Sequence, residues 1–464
     1  MKILVQKFGG TSVATPENRR LAACKVIKAR EAGYAPVVVV SAMGRTGDPY
    51  ATDTLIQILN SVDKDVAPAK REKDMLLACG EIISAVVFAQ TLKALGCKSI
   101  ALTGGQAGMI TDSEFTDARI LEIRTEYLHQ LVREGYVPVI CGFQGINAPE
   151  NPHESHAITT LGRGGSDTSA SAIGVALKAL AVEIYTDVDG VKTADPRAVS
   201  HAKTLDICTY AEVAELAHQG AKVVHPRAAE IAMDHDVPLW VKSTFTDDLG
   251  TRIAHAHATE GTGDYGDLLR RRVTGIASTG RVAYIRLDIA DSSHKAIIER
   301  EVYRMMAQAG VNIYFVTYSP TALSFAVPKE LYPVSRDLLD GMVIPVEHPE
   351  PDADGRMVTY YIFKYLDGTD LAYRVQRPLL RSLEKHAAVI DITASAIENC
   401  TMVSVVASSH RRVPGVITRI LETLHKAHIN VYQIADSEMS VSCLISEGDV
   451  KRAVQLLHEQ LFDL

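Results

Sequence analysis

The chain has 464 residues, 47% hydrophobic and 22% charged, the proportions of a globular protein with two or three domains. A net charge of −8 and a pI near 6.1 argue against a nucleic-acid binder, which needs a basic face. Seven scattered cysteines without a CxxC pair or Cys/His metal spacing read as reduced thiols. With no basic leader and no apolar run of membrane-spanning length, the expectation is a cytoplasmic protein with no membrane partner.

The first predicted element is a strand at residues 3–7, running into Lys7-Phe8-Gly9-Gly10-Thr11-Ser12. Glycines let the backbone approach an anion closely, and the lysine adds a point charge beside two hydroxyls. The spacing is not that of a Walker loop. Further strands are predicted at residues 36–41, 99–103, 137–142, 182–186 and 238–242, alternating with helical stretches. Several are apolar throughout, as in a mainly parallel sheet with helices on both faces. Glycine-containing or polar turns follow at Phe8-Gly9-Gly10, Ser41-Ala42-Met43-Gly44, Thr103-Gly104-Gly105, Gly142-Phe143-Gln144-Gly145 and Thr186-Asp187-Val188-Asp189-Gly190. Ligands of open α/β sheets bind at that edge, so the five turns predict one extended groove.

Between the strands lie candidate site residues. Glu81 sits in a helical neighbourhood of Leu76, Leu77, Ile82, Ile83 and Val86; a carboxylate amid so much apolar surface calls for a charged partner, unless it caps or faces solvent. In Leu161-Gly162-Arg163-Gly164-Gly165-Ser166-Asp167-Thr168 a glycine-rich turn leads into a small-residue helix beginning near Ser166. Such a helix start attracts anions, and Arg163 can grip a carboxylate with two parallel bonds. Asp167 reads either as a functional group or as a helix cap. The run Tyr185-Thr186-Asp187-Val188-Asp189-Gly190-Val191-Lys192-Thr193-Ala194-Asp195-Pro196-Arg197 pairs aspartates at a strand end, either a metal site or Asx-turns. Lys222, in Gly220-Ala221-Lys222-Val223-Val224-His225-Pro226, follows a helix predicted at 211–218, and on its own would read as a surface charge.

Residues 246–272 read as a linker carrying the basic run Arg270-Arg271-Arg272. Beyond it lies an internal repeat. Ala307-Gln308-Ala309-Gly310-Val311-Asn312-Ile313-Tyr314 aligns with His425-Lys426-Ala427-His428-Ile429-Asn430-Val431-Tyr432, and strands near 283–287 and 401–405 keep the same offset. Each unit reads strand–helix–strand–strand–helix. The surplus between them, residues 346–398, opens with an acidic, proline-containing run and adds a strand, a helix and a strand.

Lys-Phe-Gly-Gly-Thr-Ser, Gly-Arg-Gly-Gly-Ser-Asp-Thr-Ser-Ala, Tyr-Thr-Asp-Val-Asp-Gly-Val-Lys-Thr-Ala-Asp-Pro-Arg and Gly-Ala-Lys-Val-Val-His-Pro-Arg occur here in one order. By these motifs the chain resembles the monofunctional aspartokinases of the amino-acid kinase family, and its repeats resemble a pair of ACT domains. The resemblance implies an α/β fold: a three-layer αβα sandwich with a mainly parallel sheet over residues 1–245, then two ferredoxin-like α+β modules at 273–345 and 399–464, separated by the segment 346–398. It implies ATP-dependent phosphorylation of the β-carboxylate of L-aspartate, with Mg²⁺ held largely by phosphates and water, in the lysine, threonine and methionine pathway. Arg163 with Glu81 suits a free amino acid, since a zwitterion needs one cation and one anion; glutamate, N-acetylglutamate or a nucleotide would be other acceptors on the same fold. A non-catalytic amino-acid sensor is the alternative of a different class, opposed by the presence of Lys7 and Lys222.

The same resemblance implies roles. Lys7, Asp167 and Lys222 would be catalytic, with Lys7 at the transferred phosphoryl and Lys222 on the β/γ-phosphates. Ser41, Thr46, Glu81, Arg163 and Ser166 would bind the substrate. Gly9, Gly10, Thr186, Asp187, Asp189 and Lys192 would line the nucleotide. An end-product amino acid would act at Val413, Pro414, Gly415, Val416 and Asp436, and the modules would pair chains into at least a homodimer. Two departures from the family pattern stand out: Arg45-Thr46-Gly47-Asp48-Pro49-Tyr50 after the second strand, and Ser292-Ser293-His294-Lys295 where the first module would carry an effector loop.

Overall fold

The computed structural model describes residues 1–63, 66–148, 156–221, 223–255, 273–289, 293–352, 354–366, 371–384, 387–407 and 415–462. In chain order the first half comprises β1 (Ile3–Phe8), α1 (Gly10–Val13), α2 (Pro16–Glu31), β2 (Ala35–Val40), α3 (Thr52–Asn60), α4 (Lys70–Ala94), β3 (Ser99–Leu102), β4 (Met109–Thr111), β5 (Ile120–Ile123), α5 (Glu126–Arg133), β6 (Val137–Cys141), β7 (Gln144–Asn147), β8 (Ile158–Thr160), α6 (Gly165–Ala176), β9 (Ala181–Thr186), β10 (Ile207–Thr209), α7 (Tyr210–His218), α8 (Pro226–Asp234), β11 (Leu239–Ser243) and β12 (Thr251–Ala254). All six expected strands are present.

The main sheet has the order β10-β12-β11-β9-β1-β2-β6-β3, parallel except for β11 with β12. Every residue of β1 is buried, which is why its run of Ile, Leu and Val suits a strand covered on both faces. Chain order reverses around β1, flanked by β9 and β2, so its C-terminal end is the switch point where such sheets leave a crevice. Lys7 lies there. A second sheet, β5-β4-β7-β8, stands beside the crevice and was not anticipated from the sequence.

The helix α4 has 25 residues and is, by length and hydropathy, able to cross a membrane, contrary to the expectation of no such run. Half of its most apolar stretch is buried against the protein, together with the carboxylates of Asp74 and Glu81, so here it serves as a core helix.

The second half comprises β13 (Gly275–Asp288), α9 (Lys295–Gln308), β14 (Tyr314–Ser319), β15 (Ala322–Pro328), α10 (Tyr332–Leu339), β16 (Val343–Glu347), β17 (Val358–Tyr365), α11 (Leu371–Arg381), β18 (Ala387–Val406), α12 (Val416–Lys426), β19 (Val431–Asp436), β20 (Ser440–Ser446) and α13 (Val450–Phe462). The repeat is as expected, and the extra segment supplies the predicted strand, helix and strand as β17, α11 and the start of β18.

Two expectations about boundaries change. The linker region contains β12, a strand of the main sheet; residues 256–272 lie outside the described set. The boundary at 398/399 falls inside the 20-residue β18, which serves both modules. The strands near 283–287 and 401–405 are interior: β13 pairs with β15 and β18, and β18 with β13, β17 and β20. One chain thus satisfies their backbone groups without a partner.

The halves also share a core. Ala194 and Val199, from the loop after β9, pack with Val403, Ile420, Val441 and Leu457 of the second module. Thr193 Oγ1 and His458 Nε2 are 2.9 Å apart, and Gln455 Nε2 donates to the Ala198 carbonyl at 2.8 Å.

Candidate active site

A cavity of about 470 Å³ opens at the C-terminal end of β1, and Lys7, Ser41, Glu81, Arg163, Ser166 and Asp167 all line it. Four separate segments bring these residues together: the end of β1, the turn after β2, α4 and the glycine-rich turn into α6.

Lys7 ends β1 with its Nζ 2.7 Å from Asp167 Oδ1 in the first turn of α6; both side chains are nearly nine-tenths covered. The turn before α6 is glycine-rich for steric reasons. Gly164 has φ +70, and a Cβ there would lie 2.1 Å from the His225 ring. At Gly142 a Cβ would lie 2.9 Å from the Ser166 side chain. The His225 amide donates to Asp167 Oδ2 at 3.4 Å, and burial pushes the His225 imidazole below its usual pKa. Asp167 therefore faces the lysine rather than acting only as a cap.

Glu81 is buried on α4. Its Oε1 accepts the Ala42 amide at 3.0 Å, while Oε2 has no hydrogen-bond partner among the described residues. Burial pushes its carboxyl up to about 8, with the Ala42 bond only partly opposing. A buried, half-satisfied carboxyl on a cavity wall is a ready partner for a cation. Arg163 is exposed over the same cavity, and its guanidinium has no partner among the described residues. A guanidinium and a carboxyl group thus face one cavity, the pair that a zwitterion needs once the carboxyl ionises.

Other expected residues lie elsewhere. Thr46 is exposed, and its hydroxyl donates to Asp53 Oδ2 at 2.5 Å; Asp53, not Thr46, lines the cavity. The Gly9 amide donates to the Tyr185 carbonyl at 3.2 Å, so it is engaged within the fold instead of open to a phosphate. Gly10 begins α1, and a Cβ there would lie 2.6 Å from the Gly44 carbonyl oxygen, so close approach of the backbone accounts for this glycine. Thr103-Gly104-Gly105 does not line the cavity. A Cβ at Gly104 would lie 1.9 Å from the Gln144 carbonyl oxygen, so this turn packs the second sheet.

The turn after β9 forms its own polar cluster. Asp189 pairs with Lys192 at 2.8 Å, and Thr204 Oγ1 donates to Asp189 at 2.9 Å. Thr186 Oγ1 donates to Asp187 at 3.1 Å. Arg45, noted in the sequence only as part of a departure, reaches Asp187 at 2.5 Å and links the loop after β2 to this turn. Lys222 lies outside the described residues, as do Val413 and Pro414. Gly415 is the left-handed residue that begins α12, with φ 83. Val416 is buried in the second module's core, which removes its side chain from a ligand surface, and Asp436 is exposed at the end of β19.

No group of three His, Cys, Asp or Glu suited to a metal ion occurs among the described residues. Sequence reasoning missed Asp74, which the lining loops converge on; its only signal was its position seven residues before Glu81 in one helix.

Comparison with known proteins follows the same lines. Residues 2–243 match the Amino acid kinase family, and residues 395–459 match the ACT domain. Aspartokinase 1 of Bacillus subtilis (strain 168) is 38% identical over 464 residues, covering 100% of each chain. The crystal structure of E. coli aspartokinase III in complex with aspartate and ADP has a TM-score of 0.68 at 22% identity, covering 99% of this chain and 100% of that one. The same E. coli enzyme in complex with lysine and aspartate gives 0.65 at 23% identity, with 100% of each covered. At those identities the two structures bear on the fold alone.

Proposed function

The chain belongs to the aspartokinases of the amino acid kinase family, and from that premise we propose that it transfers the γ-phosphoryl group of ATP to the β-carboxylate of L-aspartate. The products are ADP and 4-phospho-L-aspartate, the entry to lysine, threonine and methionine synthesis. The observation that carries the reading is the cavity with the Lys7–Asp167 pair on one side and Glu81 and Arg163 on its walls.

The β-carboxylate is ionised at neutral pH, so no general base is required. The site has to position two anions and offset their charge. Lys7, oriented by Asp167, meets the transferred phosphoryl. Arg163 holds the α-carboxylate and Glu81 the ammonium, with Ser41 and Ser166 beside them. Thr186, Asp187, Asp189 and Lys192 border the nucleotide, and Lys222 takes its β/γ-phosphates. Mg²⁺ would be held largely by the nucleotide's phosphates and water and would offset charge on the transferred group; the aspartates after β9 already have lysine, arginine or threonine partners.

Regulation by an end-product amino acid is assigned to the second module. Among the described residues, a Cβ on Gly415 would meet no atom within 4 Å. The corresponding start of α9 is filled: His294 Nδ1 lies 2.7 Å from the Tyr361 hydroxyl of the inserted β17, and the His348 ring is 4.9 Å away. None of the seven cysteines forms a disulfide, in keeping with a reducing, cytoplasmic setting. Self-association into at least a homodimer is part of the same reading, supported by the exposed row Leu371, Val375 and Leu379 on α11, and sedimentation measures it directly.

An ADP-release assay with aspartate, glutamate and N-acetylglutamate tests the assignment. Turnover with aspartate and not the others is expected. Preference for another acceptor would overturn the substrate, and ADP release with none would favour a sensor.

A further inference from the structure

Asp74 lies in the second turn of α4 and is fully buried. Its Oδ2 accepts the Thr116 amide at 2.9 Å and the Thr160 amide at 2.8 Å, and its Oδ1 accepts the Thr160 hydroxyl at 2.7 Å. A buried carboxylate used this way ties three donors, from the loop at Thr116 and the end of β8, to one helix. Both donors' residues line the cavity. Thr116 has a left-handed backbone, φ 77, uncommon for threonine, so the bond to Asp74 restrains a conformation the residue would otherwise avoid.

Thr160 ends β8, three residues before Arg163. The short segment between them is held at other points as well. The Ala118 amide donates to the Thr160 carbonyl at 2.9 Å, and Arg227 Nη1 donates to the Leu161 carbonyl at 3.1 Å. A Cβ on Gly162 would lie 2.8 Å from Asp117 Oδ1, so the two loops pack directly. Seven residues along α4, on the same face, Glu81 holds the opposite wall through the Ala42 amide. One helix therefore sets both walls of the cavity with two buried carboxylates.

The geometry points to Asp74 as a positioning residue of the phosphoryl-transfer site, fixing the Thr160–Arg163 loop so that the Arg163 guanidinium stands over the cavity. Asp74 does not itself line the cavity; it acts through Arg163. The inference rests on the reading of the cavity as the aspartate pocket.

A double-mutant cycle on the full-length chain, read by aspartate KM, ATP KM and melting temperature, tests it. Asp74→Ala should raise aspartate KM about tenfold, by loss of preorganisation, and leave ATP KM within about twofold. In the Arg163→Ala background the same substitution should change aspartate KM by less than about twofold, because the group it positions is gone. Asp74→Ala leaves three donors unsatisfied and should lower the melting temperature. Asp74→Asn keeps the shape and one acceptor oxygen, so it should fold and recover most of the aspartate KM. Equal effects of Asp74→Ala with and without Arg163, or parallel rises in both KM values, would reduce Asp74 to a structural tie and overturn the inference. Failure of the substrate reading is separable: there, Arg163→Ala alone would leave aspartate KM unchanged.

Discussion

Lys7 Nζ and Asp167 Oδ1 meet at 2.7 Å, joining the end of β1 to the first turn of α6 across the mouth of the cavity. The pair holds a cation in place before any phosphate arrives, which is the arrangement that makes charge stabilisation effective. Lys7→Ala should lower kcat by roughly 10²–10³, about 3–4 kcal/mol, with a smaller effect on either KM. Steady-state kinetics check this, and a variant keeping more than half of the wild-type kcat would remove Lys7 from the chemistry.

Glu81 predicts a pH dependence. Its carboxyl is pushed up to about 8 by burial, so at neutral pH the empty site holds it protonated. The substrate ammonium needs the carboxylate, so binding expels a proton. Aspartate KM should fall as pH rises toward about 8, by up to about tenfold per unit, and flatten above it. The fold itself has the opposite preference: the raised pKa favours the native state most below the ordinary carboxyl range, and that advantage is lost as pH rises through about 8. Calorimetry in buffers of different ionisation enthalpy reads the expelled proton directly. Glu81→Gln should abolish the slope; a flat wild-type profile between pH 6 and 8 would place the ammonium elsewhere.

Gly164→Ala should disturb the site through geometry alone. A Cβ there would lie 2.1 Å from the His225 ring, on a backbone at φ +70. Relief requires moving His225 or the Arg163 loop, at a cost of about 1–3 kcal/mol. Thermal melting and aspartate KM should both worsen. Gly9→Ala is the control, because its Cβ would meet nothing nearer than the Lys7 Nζ at 3.6 Å. Equal behaviour of the two variants would count against the steric account.

Gly415→Asp puts charge at the start of α12 without touching the kinase residues. Inhibition by an end-product amino acid should disappear while uninhibited activity is largely kept. Titration of wild type and variant with lysine, threonine, methionine and diaminopimelate decides it. Unchanged inhibition would move the effector to the first module or the inserted strands, and no response to any of them in the wild type would end the regulatory reading.

The main sheet was legible because its strands are continuous apolar runs, such as Val37 to Val40, bounded by glycine turns. The site was legible where charge stood among residues that could not otherwise account for it, as with Arg163 between glycines and Glu81 among aliphatics. Asp74 was not, because one aspartate near a helix start reads as a cap until the chain folds and two distant threonines arrive over it. The sheet β5-β4-β7-β8 escaped notice since its strands have only 3 or 4 residues, too short for a periodic pattern. Gly9 shows the converse limit: the motif marks the turn correctly, but only the fold reveals that its amide already serves Tyr185.

The loop bearing Ala194 and Val199 lies inside the second module's core, so the two halves of this protein are not interchangeable cassettes. A kinase half cut free near residue 270 would carry a raw apolar scar where α13 and β20 had covered it. Recombining this catalytic half with a different sensing half would require recutting that loop to the new neighbour.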